Sequence, residues 1–204
     1  MWEVNGIIGR ASETPLIAGK QNGVALVMGS GRCLWQDLFG ELPRFGKVED
    51  MDVIAINDLI LHWPGRIRHG VSLHKELPEL FKRARMTETT ADCLNITTHA
   101  PDPNGLDSVD YSWGLIEGGM GGTSALFATM IALAMGYEKV VLAGVPLDAS
   151  GRLFDPPTFN GKYDGHVLIA WQDAKANYFK DRVRALSGNA VAILGKFDQV
   201  WLHG

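Results

Sequence analysis

The stretch Val24-Ala25-Leu26-Val27-Met28, followed at once by Gly29-Ser30-Gly31, constrains this chain more than any other feature. A short, continuous apolar run closed by glycines marks a strand buried on both faces, as strands of parallel sheets are. Related runs recur at Val53-Ile54-Ala55-Ile56 within Met51 to Asn57, at Val140 to Ala143 and at Val191 to Leu194. Gly70 to Leu73 and Leu94 to Thr97 supply two further candidates.

Helix-like segments separate these runs. Cys33 to Leu42 puts Leu34, Leu38 and Leu42 on one face, with Pro43 just beyond. Asp58 to His62 fits one helical turn, and Glu76 to Arg85 fits a helix with Leu77, Leu80 and Phe81 inward. Thr123 to Met135 has Thr123 as N-cap and Gly136 as its stop. Leu168 to Leu186 reads as the last long helix. The segments His99 to Gly114 and Pro146 to Gly165 are rich in Pro, Asn and Gly and read as long loops, the first of a length that suggests a lid. Strands alternating with helices predict right-handed crossovers and a Rossmann-like α/β fold, a mostly parallel sheet of about six strands flanked by helices. Residues 23–204 form the expected nucleotide-binding domain, and residues 1–22 an N-terminal arm or hairpin.

Bulk properties narrow the function. A formal charge of −4 over 204 residues offers no broad attraction for nucleic acid or an anionic membrane. Arg66, Arg68 and His69 read as a solvated basic face, and Glu49, Asp50 and Asp52 as a solvated acidic turn. Cys33 and Cys93 match no metal spacing and make no disulfide framework. The amino terminus lacks a signal-peptide pattern, and the apolar stretch Ser124 to Met135 is too short to span a bilayer. The expectation is a cytoplasmic protein without a membrane span.

In such sheets ligands bind beyond the carboxyl ends of the strands. That places Gly29, Ser30, Gly31, Asn57, Asp58, His74, His99 and Gly144 to Asp148 on the functional edge. Glycines let a backbone approach a phosphate, and free amides opening the next helix favour negative charge. The turn fails the dinucleotide pattern, because Leu34 stands where its third glycine belongs, and the chain has no Gly-Lys-Ser/Thr phosphate loop. The competing reading is a tight strand-to-helix connection without a ligand. A second glycine-rich helix start, Gly118 to Ser124, brings Thr123 and Ser124 hydroxyls with it; its competing reading is a hinge with an ordinary cap. Among the histidines, His62 and His69 read as surface residues and His203 as terminal. His166, after a polar loop, is the best general-base candidate, since neutral imidazole accepts a proton at ordinary pH.

Together these residues resemble bacterial sialyltransferase-like glycosyltransferases of the CMP-sialic-acid type and the related uncharacterised family that includes an archaeal 6-hydroxymethylpterin diphosphokinase. Three stretches carry the resemblance: Val24 to Gly31, Val53 to Asp58, and Gly122-Thr123-Ser124 through Val145, the last being the most specific. His166 falls where the family's catalytic His would be. The chain departs from the family at Arg32-Cys33, where Pro-Ser is usual. Tyrosines near Val141 and Asp148 are also missing, with Tyr163 the nearest substitute.

The resemblance implies a metal-independent transferase with a nucleotide-activated donor, a CMP-sugar or similar, as substrate and no tightly bound cofactor. Gly29, Ser30 and Gly31 would hold phosphate, Asn57 and Asp58 the nucleoside, and Thr123 and Ser124 the donor's polar groups. His166 would deprotonate a small-molecule or glycan acceptor. Two alternatives stay open. One is ATP-dependent diphosphate transfer to a small alcohol, with Asp58 and Asp148 for magnesium. The other is a non-catalytic nucleotide- or partner-binding domain, for which Trp35, Trp63, Trp113 and Trp171 would supply aromatics for an interface or homo-oligomer.

Overall fold

The computed structural model describes residues 2–4, 7–9, 23–88, 95–101, 109–116, 123–156 and 165–204; for 2–4, 7–9, 88 and 114–116 it describes the backbone alone. In chain order the elements begin with β1 (Trp2–Val4), β2 (Ile7–Gly9) and β3 (Val24–Met28). Then come α1 (Leu34–Gln36, continuing as a wider turn to Glu41), β4 (Asp52–Ile56), α2 (Leu59–His62), β5 (His69–Val71) and α3 (Leu77–Glu88). They continue with β6 (Thr97–Pro101), β7 (Tyr111–Ile116), α4 (Ser124–Ala134), β8 (Lys139–Ala143) and α5 (Gly165–Ala174). The last three are β9 (Val183–Ala185), α6 (Gly188–Leu194) and α7 (Gln199–His203).

One sheet runs through the molecule in the order β1-β2-β7-β6-β5-β4-β3-β8-β9. Seven adjacent strands, β7 through β9, are parallel, and the β1–β2 pair joins β7 antiparallel. The expected Rossmann-like, mostly parallel architecture is therefore present, with one more parallel strand than expected. Alternation within the central strands shows why their runs are wholly apolar. Ala25, Val27, Ile54, Val140 and Leu142 pack on one face with α4, while Leu26, Met28, Val53, Val141 and Ala143 pack on the other with Leu34 and Leu38. Each strand residue meets a helix layer whichever way it points.

Helix α4 is apolar all round and accordingly buried, with Ala125 its sole partly exposed residue. The Thr123 hydroxyl accepts the Leu126 N–H at 3.3 Å, the expected N-cap, and Gly136 ends the helix with φ +93°. Arg85, 4% exposed, reaches back from α3 to cap α2: its guanidinium donates to the carbonyls of Ile60, Trp63 and Gly65.

Several expectations fail. The fourth parallel-strand candidate lies at Thr97–Pro101 instead of Leu94 to Thr97, and part of that expected segment is outside the described residues. The expected long loop from His99 to Gly114 contains the end of β6 and the start of β7, and residues 102–108 of it lie outside the described residues. Leu80 is 57% exposed and does not face inward. The expected helix Leu168 to Leu186 breaks at Lys180 and Asp181, both at positive φ, and gives way to the three-residue β9. The expected strand Val191 to Leu194 is instead part of α6, which starts at Gly188 with φ +68°.

Candidate functional site

The strand order reverses between β3 and β8: every parallel strand from β4 to β7 lies on one side of β3, while β8 and β9 lie on the other. A crevice at such a reversal is where doubly wound sheets bind ligands. Here it is a cleft of about 300 Å³ at the carboxyl edge. Its lining brings together Gly29, Ser30, Gly31, Asn57, Ser124 and Asp148, six of the residues expected from sequence. Gly144 to Pro146 form its floor, and Arg152 and Asp155 an outer wall.

The glycines have a use other than approach to a phosphate. A Cβ on Gly29 would lie 2.7 Å from the Gly144 carbonyl oxygen, and one on Gly31 would lie 2.6 Å from the same oxygen and from Pro146 Cδ. The ends of β3 and β8 pack backbone against backbone, and Gly144 itself sits at φ +64°. The amides are committed as well. Gly29 N–H donates to Ala143 O, Gly31 N–H to Gly144 O and Arg32 N–H to Gly151 O. Three of the amides expected to be free in and after this turn are thus occupied by neighbouring backbone. Arg32 further ties the outer wall down, donating to Pro156 O at 2.7 Å, while Ser30 O accepts the Leu153 N–H.

Asn57 holds a left-handed backbone at φ +53°, which asparagine tolerates better than most residues. Its Oδ1 accepts from Ser124 Oγ at 3.2 Å, and Ser124 Oγ in turn accepts the Leu73 N–H at 3.1 Å. These bonds join the ends of β4 and β5 to the start of α4, leaving the Asn57 amide nitrogen as a donor at the cleft. Ser124 and Ala125 open α4 at the cleft wall, and amides in that first turn have no intrahelical partner. The positive end of an eleven-residue helix therefore faces the cavity.

The other expected residues are placed less favourably. Asp148 lines the cleft, with Oδ1 accepting the Ser150 N–H. Thr123 is engaged as the cap of α4, and Asp58 precedes α2 outside the cleft lining. His166 is exposed in the first turn of α5 and is also outside that lining; His74 is exposed. Residues 118–122, Tyr163 and Cys93 lie outside the described residues.

Sequence reasoning missed the residue that braces this edge. Asp37, 1% exposed, accepts from the Gly144 N–H at 2.8 Å and from Ser187 Oγ at 3.0 Å, pinning the end of β8 to α1. Burial raises its carboxyl above the ordinary range, while the two donated bonds pull the other way. Beside it, burial pushes the Cys33 thiol up to about 12, so that thiol stays protonated and is no nucleophile near neutral pH.

A second network also escaped the sequence reading. His69, expected at the surface, is buried in β5, and His99, expected at a strand end, is buried within β6. Trp113 Nε1–H can only donate, and it does so to His99 Nδ1 at 3.0 Å. His99 Nε2 must then carry its proton and donate to His69 Nδ1, also at 3.0 Å. His69 Nε2–H donates in turn to the Tyr137 hydroxyl at 3.2 Å, and that hydroxyl donates to Asp52 Oδ2 at 2.8 Å. Every donor in this chain points the same way, across four adjacent strands, toward the amino edge. Asp52 is therefore the half-buried end of a core network and not part of a solvated turn. Burial, and then the charge of Arg68, holds His69 down to about 4; burial, and then His69, holds His99 well below the usual imidazole range.

Fold and cleft define a doubly wound α/β protein with a crevice at its strand-order reversal. Two solved structures share that fold. The sialyltransferase CstII from Campylobacter jejuni, in complex with the substrate analogue cytidine-5'-monophosphate, superposes with a TM-score of 0.57 at 12% identity, over 87% of this chain and 86% of that one. The MAf glycosyltransferase from Magnetospirillum magneticum AMB-1 gives 0.51 at 14% identity, over 90% of this chain and 33% of that one. No family model and no curated protein matches the sequence. Among the described residues no helix is long and apolar enough to cross a membrane, and no group of three or more His, Cys, Asp or Glu is arranged for a metal ion.

Proposed function

We propose that the protein transfers a sugar from a nucleotide-activated donor of the CMP-sugar kind to a hydroxyl acceptor, without a metal. The observation that carries this reading is the convergence of Asn57, Ser124 and the α4 N-terminus on one cleft at the strand-order reversal, in a fold shared with a sialyltransferase crystallised with cytidine-5'-monophosphate. The donor's phosphate lies at the start of α4, where unpartnered amides and the helix dipole stabilise negative charge. Asn57 offers its amide N–H to the nucleoside. The Gly29-Ser30-Gly31 turn shapes the floor, with the Ser30 side chain its polar contribution. By the family resemblance His166, which lies outside the cleft lining, takes the acceptor's proton, so that the hydroxyl attacks the anomeric carbon opposite the leaving phosphate, with inversion.

Calorimetry with CMP, UMP, GMP and AMP tests the reading: at least one binds in the absence of magnesium, and binding by none overturns it. In a transfer assay His166→Ala lowers turnover by about two to four orders of magnitude with donor affinity unchanged. One observation favours diphosphate transfer as a second reading, because Asp148 and Asp155 both line the cleft. Nucleotide binding that appears only with added magnesium would select it.

A further inference from the structure

The buried chain from Trp113 to Asp52 emerges from the core at one place. Tyr137 and Asp52 line a cavity of about 440 Å³ at the amino edge of the sheet, the end opposite the cleft. This volume lies in the range of small-molecule sites. Its walls are of three kinds. Glu49, Asp50 and Asp52 contribute carboxylates, and Arg66 and Arg68 contribute guanidiniums. Phe39 and Trp63 contribute aromatic surface, both stacked on Trp35, at 5.7 Å and 6.1 Å between ring centroids. Phe39 is 70% exposed among the described residues, so its ring is open to a ligand in the cavity.

The direction of the chain decides what the cavity offers. Tyr137 receives the His69 N–H and gives its own proton to Asp52 Oδ2, so the phenol has no proton left for a ligand. Asp52 is anchored through one oxygen, which fixes its carboxylate as an acceptor at the cavity floor. The opposite charges come from Arg66 and Arg68, and among the described residues neither makes an ion pair or a side-chain hydrogen bond. A buried polar network has to be fully satisfied to be tolerated, and here the satisfied network ends in one pre-oriented acceptor.

We propose that this cavity is a second binding site, for a small zwitterion with an apolar body: its ammonium group on Asp52, its acidic group on Arg68 and Arg66, its body against Phe39 and Trp63. Oppositely charged groups lining one cavity with aromatic surface select a molecule carrying both charges over one carrying either alone. The site lies at the other end of the sheet from the cleft and stands whether or not the cleft transfers sugars.

L-phenylalanine is the first probe, with 2-phenylethylamine and 3-phenylpropionate as single-charge controls and indole N–H resonances as the readout. Saturable shifts of the Trp35 and Trp63 indoles are expected, with L-phenylalanine at least tenfold tighter than either control. Asp52→Asn keeps an acceptor for Tyr137 while removing the charge, and weakens L-phenylalanine tenfold or more. Arg68→Gln does the same from the other side and serves if Asp52→Asn fails to fold. An affinity for L-phenylalanine no greater than for the controls, equal affinity in a folded variant, or shifts confined to cleft residues would each overturn the proposal.

Discussion

Acid should unfold this protein through His69 in a measurable, separable way. Each nitrogen of its imidazole is committed, Nδ1 as acceptor from His99 and Nε2 as donor to Tyr137. A second proton on Nδ1 would face the His99 N–H and break the chain, with Arg68 and the buried surroundings adding to the penalty. The other groups around the pair are Asp52, which attracts the proton, and Tyr137 and Tyr111, the last stacked on His99 at 5.4 Å. The folded value of about 4 lies below the ordinary imidazole value of about 6.5. Between those two pH values the unfolded chain binds the proton and the folded one does not. Stability is therefore fully present above 6.5 and is lost as pH falls toward 4. At 1.36 kcal/mol per pH unit, His69 alone accounts for about 1.4 kcal/mol lost by pH 5.5 and about 3 kcal/mol over the whole window. Buried His99, itself held down partly by His69, adds to the total. Urea unfolding of wild type and His69→Phe at pH 7.5, 6.5 and 5.5 measures what removing His69 takes away. The variant should lose about 1.4 kcal/mol less than wild type between pH 7.5 and 5.5, whatever its baseline stability. Superimposable pH dependences would refute the buried, neutral His69.

Other consequences are as specific. Nitrogen-15 shifts should show both His69 and His99 as the Nε2–H tautomer at pH 7; a protonated Nδ1 in either would break the deduced direction. Gly31→Ala should cost about 2 kcal/mol or more by denaturant titration, because the added carbon meets backbone and a proline that cannot yield. Thr123→Ala should cost about 1 kcal/mol through the lost cap, with Thr123→Ser close to neutral. Asp37→Ala should destabilise by about 2–3 kcal/mol, since it orphans the buried Gly144 amide and the Ser187 hydroxyl, and should weaken nucleotide binding by loosening the cleft floor.

What could be read from sequence was what local chemistry dictates. Strands β3, β4 and β8 are apolar because both faces are covered, and α4 carries its own cap and stop, so each declares itself within a few residues. Strand β9 is three residues long and follows a helix broken by two left-handed residues, a signal too short for any period. Val191 to Leu194 has the composition of a strand, yet Gly188 at positive φ turns it into α6. In the site, carboxyl-edge logic correctly gathered Gly29, Ser30, Gly31, Asn57, Ser124 and Asp148. It could not reveal that the Gly29, Gly31 and Arg32 amides are taken up by β8 and loop residues more than a hundred positions away. The histidine chain is invisible for the same reason: His69, His99, Trp113, Tyr137 and Asp52 become partners only when four strands are set side by side. The one local hint was that His69 and His99 each stand beside small or apolar residues in strand-like stretches.

In the proposed reading a nucleotide phosphate rests at the start of α4, in the cleft between β3 and β8. Amide chemical-shift mapping during a CMP titration tests it most directly. The largest shifts are expected at the Ser124 and Ala125 amides and the Asn57 side-chain amide, with the Trp63 indole unmoved, and those shifts are lost in Asn57→Ala. Saturable CMP shifts centred on the amino-edge cavity, or none anywhere at millimolar CMP, would contradict it.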